Sequence, residues 1–311
     1  YDPAEPGEED TMAVAAGAPD TRRPVAGILW MVAAACCFAA SLTLVKALQD
    51  GGMTVFQAVL FRQIFGLIIF TPVILRAGPA SLKTGVPTRH LMRACFGFLG
   101  MCTGYYSLNL IDVADSVALQ FTLPIFTMFC AIWLLGEKLH SHRVIATLIG
   151  FAGVLVIVRP GFVDVNIGMP LALAAAAFYA TSDTMSRWLA RHDPFPSIMM
   201  WNFICMIPLA AVPSAIWWVT PPIDLWWQLL GFCIAGVGAQ FCLTRSFGLA
   251  EASLVSPILF LRLPLIAVIA FFWFGQTTEI WTWIGAAVIF LATTWMTRVE
   301  TRGHGNEKTV N

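Results

Sequence analysis

Leu119-Gln120-Phe121-Thr122-Leu123-Pro124 is answered 140 positions later by Leu259-Phe260-Leu261-Arg262-Leu263-Pro264. Each segment runs on into an apolar stretch that stops at a glycine and a polar residue, Gly136-Glu137 in one and Gly275-Gln276 in the other. Upstream, Gly27–Leu48 lies on Gly168–Leu189 with a shift of 141. Phe38 then falls on Tyr179, Ala39-Ala40-Ser41-Leu42-Thr43 on Ala180-Thr181-Ser182-Asp183-Thr184, and Lys46 on Arg187. Two matches in the same order, at nearly the same spacing, read as a duplicated unit.

Around these anchors lie ten apolar stretches: 27–48, 54–75, 91–111, 113–135, 143–158, 167–190, 197–219, 226–248, 252–274 and 280–298. Stretches near 20 residues match a hydrocarbon core of about 30 Å at 1.5 Å rise per residue. Five stretches per unit is an odd number, so the second unit starts from the opposite face. The expected fold is an all-α polytopic membrane protein of ten transmembrane helices, arranged as two inverted five-helix repeats over residues 27–161 and 162–298. The tails 1–26 and 299–311 are expected to be disordered. Met12 reads as a natural start, with Tyr1–Thr11 foreign to it.

Composition supports the same class. The chain is 58% hydrophobic and 12% charged, with a mean hydropathy of +0.76, whereas soluble domains carry roughly 25% charged residues. A net charge of +0 offers nothing to attract nucleic acid. All eight cysteines lie inside apolar stretches without metal-ligand spacing, so neither a disulfide framework nor a metal site is expected. Basic residues sort by loop parity: Arg22 and Arg23, then Arg76, Lys83 and Arg89, then Lys138 and Arg143, then Arg187 and Arg191, and finally Arg298, Arg302 and Lys308. The alternate loops carry Asp50, Asp112, Asp224 and Glu279, with Arg159 the main basic exception. The positive-inside rule places both termini in the cytoplasm.

With its prolines in the two fourth helices, Gly136-Glu137 and the close Gly150-Phe151-Ala152-Gly153-Val154…Val158-Arg159-Pro160-Gly161, the chain resembles the drug/metabolite transporter superfamily over residues 27–298. Gln276 departs from that pattern, where an acidic residue is usual. The resemblance implies a carrier of the bacterial inner membrane, most like the exporters of amino acids, the aromatic ones and drugs included. The expected function is therefore export of small amphipathic metabolites, amino acids foremost, by alternating access at a cavity between the repeats. The alternative is an uptake carrier or facilitator for another small metabolite or drug; a channel or scaffold is more remote. The chain has no HExxH, no GxSxG and no P-loop, so neither catalysis, nor a cofactor, nor ATP hydrolysis is expected. The partners are a small-molecule substrate and the lipid bilayer, with the protein a monomer or homodimer.

Polar groups inside apolar stretches mark the candidate site, because each costs several kcal/mol at depth unless it has a purpose. Phe38, Ser41, Tyr105, Tyr106, Gln120, Phe121, Tyr179, Ser182, Trp201, Gln240 and Arg262 are the expected substrate-binding residues, a mixture of aromatic faces and hydrogen-bonding groups. Asp183 and Arg187, one helical turn apart, form an available i,i+4 pair, and Pro124 and Pro264 are symmetric hinge positions; these four are the expected gating or coupling residues. Arg62 is expected to tie the second helix to a neighbour's broken backbone. Asp183 is the sole carboxylate well inside a stretch, so proton coupling is expected to be weak or absent. Gly97, Gly100 and Gly104, with Gly231, Gly236 and Gly238, read as packing and hinge surfaces.

Overall fold

The computed structural model describes residues 24–77, 83–135, 141–159, 166–190, 192–249 and 256–307. The expected leader Tyr1–Thr11, Arg22, Arg23, Gly136-Glu137, Lys138, Pro160-Gly161, Arg191 and Lys308 lie outside these. Eleven α-helices follow in chain order: α1 (Pro24–Asp50), α2 (Val55–Ala77), α3 (Pro87–Ser107), α4 (Val113–Gln120), α5 (Leu123–Leu135), α6 (Ser141–Val158), α7 (Gly168–Leu189), α8 (Phe195–Ile216), α9 (Trp226–Leu249), α10 (Arg262–Phe274) and α11 (Ile280–Glu307). A 3-10 segment, Ser256–Leu261, leads directly into α10. The last helix runs on to Glu307, past the expected end at Arg298. Among the described residues, Val25–Asp50, Val55–Pro72, Val113–Leu134, Ser197–Ile216 and Ile223–Ser246 are long and apolar enough to cross a membrane. Leu148–Val158, Ile258–Phe274 and Ile280–Ala292 are shorter apolar helices. Ten such helices were expected; α3 and α7 miss the threshold because each spends positions on Arg93 or on Asp183 and Arg187 and fills its packing face with Gly, Ala and Ser.

The fourth and ninth stretches are broken rather than kinked. Proline lacks an N–H and its ring clashes with the carbonyl four residues back, here that of Gln120 for Pro124 and of Phe260 for Pro264. The chain responds at equivalent places. Phe121-Thr122 forms a turn between α4 and α5, and the 3-10 segment ends at Leu261. Both prolines then fall in the first turn of the following helix, where no donor is needed.

The two halves interlock. Along α3, Gly97 faces Ser182 of α7, Gly100 faces Tyr179 and Gly104 faces Ala175, a descending order that makes the pair antiparallel. On α9, Gly231 faces Leu44 of α1, Gly236 faces Ser41 and Gly238 faces Cys37, again antiparallel. α2 pairs with α8 through Gln57 and Val219, then Gln63 and Met206, then Gly66 and Phe203. α6 pairs with α11 through Gly153 and Gly285, with Arg159 bonded to Glu279 just beyond. Exchanging the halves turns α1–α9 into α7–α3 and returns the other two pairs to themselves. Since α2 and α8 are repeat-mates and run in opposite directions, the repeats are inverted. The glycines act as packing surfaces, because their missing side chains let neighbouring helices approach.

Antiparallel pairing gathers the loops at two ends. One end carries Asp50, Asp112, Asp115, Asp224 and Glu279 and is called the acidic end; the other carries Arg76, Lys83, Arg89, Arg93, Arg187 and Arg245 and is called the basic end. The core between them includes Val45, Leu48, Leu108, Leu119, Phe232 and Ile266, all fully buried.

Candidate functional site

The two helix breaks meet at mid-depth. Phe121 stacks on Phe260 with ring centroids 4.1 Å apart, and Phe290 closes edge-on against Phe260 at 4.5 Å. The guanidinium of Arg262 lies 4.5 Å from the Phe121 ring centroid. Its Nε is buried without a hydrogen-bond partner among the described residues. Tyr179 lies within electrostatic reach of Arg262, Arg62 and Tyr105. Its ring rests flat on Gly100, where an added Cβ would come within 3.0–3.2 Å of three ring carbons. Beside it, Gln120 Nε2 approaches Gly104 and donates to Ser116 Oγ at 3.2 Å. Arg62 Nη1 donates to the Tyr105 hydroxyl at 2.6 Å, and its Nε passes over Gly236 next to Ser41. Tyr105 in turn meets Phe232 edge-on at 6.0 Å. Arg62, Gln120, Tyr179, Phe260 and Arg262 are all half-buried although helices surround them.

Towards the acidic end, a cavity of about 680 Å³ is lined by Met53, Thr54, Phe56, Cys102, Tyr106 and Trp217, among others. Cys102, its deepest lining residue on α3, lies within electrostatic reach of Tyr105 and Tyr179. Around the cavity, Gln57 Nε2 donates to the Val219 carbonyl at 2.7 Å and Asn166 Nδ2 to that of Leu110 at 2.8 Å.

The basic end is closed by polar contacts between the halves. Arg93 Nε donates to Ser186 Oγ at 2.5 Å and Nη1 to Asn202 Oδ1 at 3.2 Å, while Ser182 Oγ donates to the Arg93 carbonyl at 3.1 Å. Asp183 lies within electrostatic reach of Arg93 and, more weakly, of Arg187. One layer further out, Thr84 Oγ1 donates to Asp193 Oδ2 at 2.7 Å, and His90 Nε2 lies 2.7 Å from the same oxygen. Trp201 stacks on the His90 ring at 5.7 Å. Burial alone would push the Asp193 carboxyl up; the hydrogen bonds from Thr84 and His90 outweigh it and hold the group below the ordinary carboxylate range. A depressed carboxylate stabilises the fold above its unfolded pKa and loses that contribution as pH falls through the folded one. The thermal midpoint of the wild type is thus expected to fall on acidification below about pH 4, and that of Asp193→Asn to fall less over the same range. Parallel melting curves from pH 7 downward check this, and identical slopes would remove Asp193 as a pH-dependent contact.

Of the expected binding residues, the structure gathers Ser41, Tyr105, Gln120, Phe121, Tyr179 and Arg262 around the centre. It places others elsewhere. Tyr106 lies in the acidic-end cavity, because the turn of α3 that buries Tyr105 points its neighbour the opposite way. Ser182 and Trp201 belong to the basic-end closure. Phe38 is half-buried on α1, whereas Gln240 is exposed on α9. Two expected pairings are corrected. Arg62 is held by the Tyr105 phenol rather than by broken backbone, since that hydroxyl reaches it first. Arg93 outweighs Arg187 as the field on Asp183, because α3 packs directly on this face of α7. Arg93 and His90 were missed as site residues; the available signal was a charge at Arg93 just inside the third apolar stretch.

Two inverted helical units with discontinuous helices crossing at a shared polar centre define a membrane transporter. More particularly, residues 25–159 and 166–298 each match the EamA-like transporter family, and the chain belongs to that family. It is similar to an S-adenosylmethionine uptake transporter of Rickettsia bellii, 28% identical over 240 residues, covering 76% of this chain and 82% of that protein. It is equally similar to a riboflavin transporter of Vibrio cholerae, 28% identical over 294 residues, covering 92% of this chain and 98% of that protein. A solved crystal structure, 19% identical, shares the fold with a TM-score of 0.58 over 91% of this chain and 98% of that one. These relatives are named for S-adenosylmethionine uptake and for riboflavin transport, neither for the expected amino-acid export.

Proposed function

We propose that the chain is an uptake carrier of the bacterial inner membrane for a planar nitrogen heterocycle bearing a hydroxylated side chain. The observation that carries this reading is the stacked pair Phe121–Phe260 where the two broken helices meet, with Arg262 over the same ring. The two rings are in contact and Arg262 also lies against Phe121, so a flat ring would take the place of one partner when the stack opens, and the surrounding Gln120, Ser41 and Tyr179 supply groups for hydroxyls and ring nitrogens. S-adenosylmethionine and riboflavin, the molecules named for the two relatives, both join a flat nitrogen heterocycle to a hydroxylated five-carbon unit. The helices cross the membrane ten times with the basic end and both termini in the cytoplasm, as the distribution of Lys and Arg supports. The acidic-end cavity then faces outward, and the closed layer around Arg93 faces inward. Alternating access consists of opening that layer while the outer end closes over Gln57 and Val219.

Purified protein in proteoliposomes tests this with radiolabelled riboflavin and S-adenosylmethionine. Saturable uptake with counterflow for at least one of them is expected. Flux that neither saturates nor shows counterflow makes the protein a channel. Saturable flux of amino acids alone restores the export reading.

A further inference from the structure

The centre of the bundle holds two guanidinium groups and no matching negative charge. Arg62 meets the Tyr105 hydroxyl, Tyr179 and Cys233; Arg262 meets the face of Phe121 and Tyr179. Among the described residues no carboxylate pairs with either. Among the described residues, Asp183 reaches Tyr179 from the basic-end layer, where Arg93 and Arg187 already engage it. A phenol satisfies a donor but cancels no charge. A cation over an aromatic face recovers part of the cost of taking an unpaired ion out of water and leaves the charge uncancelled. Arg262 also keeps a buried Nε with no acceptor. The missing partner is an acceptor carrying negative charge, positioned beside an aromatic slot.

We infer that the transported molecule carries an oxyanion, a carboxylate or phosphate, which seats on Arg262 with Arg62 behind it while the ring lies at Phe121 and Phe260. The inference rests on the aromatic slot of the proposed function and adds the charge of the ligand. Arg262 presents its donors in a planar fork, the geometry that suits both kinds of oxyanion. Arg62 is tethered by Tyr105 and acts as the supporting charge.

The test uses pairs of ligands that differ only in charge: nicotinate and nicotinamide, indole-3-acetate and indole-3-acetamide, adenosine monophosphate and adenosine. Binding to the purified full chain is read by tryptophan fluorescence and thermal shift. In at least one pair the anion is expected to bind tenfold or more tighter than its neutral counterpart. Arg262→Gln should erase that preference, and Arg262→Lys should keep part of it. Melting of ligand-free Arg262→Gln at the wild-type midpoint guards against reading a folding defect as lost recognition. Equal binding within every pair, or a preference that survives Arg262→Gln, overturns the inference while leaving the aromatic slot intact. Binding of no member of any pair overturns the assigned charge, and the uptake of riboflavin or S-adenosylmethionine then decides the aromatic site on its own.

Discussion

Gly285→Ala is expected to lower the thermal midpoint by roughly 5–10 °C, from a loss of about 3 kcal/mol. The methyl group would come 2.6 Å from the carbonyl oxygen of Gly153 and 2.4 Å from Ile157 Cγ1. The isoleucine can turn aside, but the carbonyl belongs to the backbone of α6 and moves only if the helix does. Gly153→Ala meets the reciprocal obstacle, the Gly285 carbonyl oxygen at 2.9 Å and Ile289 Cγ1 at 2.7 Å. Because both substitutions separate the same two helices, the double variant should cost clearly less than the sum of the singles. Gly238→Ala is the matched control: its methyl would sit 3.7 Å from Cys37 Sγ, an ordinary contact. Melting in detergent by intrinsic fluorescence reads all four proteins. If Gly285→Ala melts with the control, the close approach of α6 and α11 is wrong.

Arg93→Ala should cut maximal uptake at least about tenfold while leaving the protein inserted. The side chain donates across the halves to Ser186 and Asn202 and supplies the stronger of the two fields on Asp183. Hydrogen bonds from a charged donor contribute about 1.5–3 kcal/mol each, so losing two shifts the balance between the closed and open basic end by roughly 3 kcal/mol. That is about a hundredfold change in population, and a carrier that seldom closes one end turns over slowly. Cys95 and Cys205, neighbours on this side of the bundle, should then react faster with a maleimide supplied at the basic end. Arg93→Lys keeps the charge but loses the two-direction reach of the guanidinium, and an intermediate rate is expected. Unchanged uptake with unchanged labelling would show that this layer is not a gate.

What the sequence disclosed and what it withheld divide along a physical line. Apolar runs and the 140-residue echo of Pro124 at Pro264 are local patterns, and they located the helices and the two breaks. The pairing of α3 with α7 and of α1 with α9 depends on which glycine meets which side chain 70 to 200 residues away, and no periodicity encodes that. Tyr179 and Arg262 were recognised as polar groups at depth, but their meeting with Arg62 is a product of the interlocked halves. Arg93 stands near the start of a hydrophobic run, where a charge is ordinary; only packing shows it reaching Ser186 and Asn202. Trp201 illustrates the converse error: an aromatic residue taken for the slot stacks instead on His90.

Interlocking also has a bearing on biosynthesis. α1, α2, α3 and α6 all find their main partners in the second half, so the newly made first half waits in lipid with those faces uncovered. At ordinary elongation speeds of about 5–20 residues per second, the remaining 140 or so residues take roughly 7–30 s to emerge. Throughout that interval glycine-lined grooves and Arg93, whose partners Ser186 and Asn202 are still to come, must be tolerated by the insertion machinery. A ribosome stalled between the repeats would therefore release a half-protein suited to degradation rather than to duty as a small carrier.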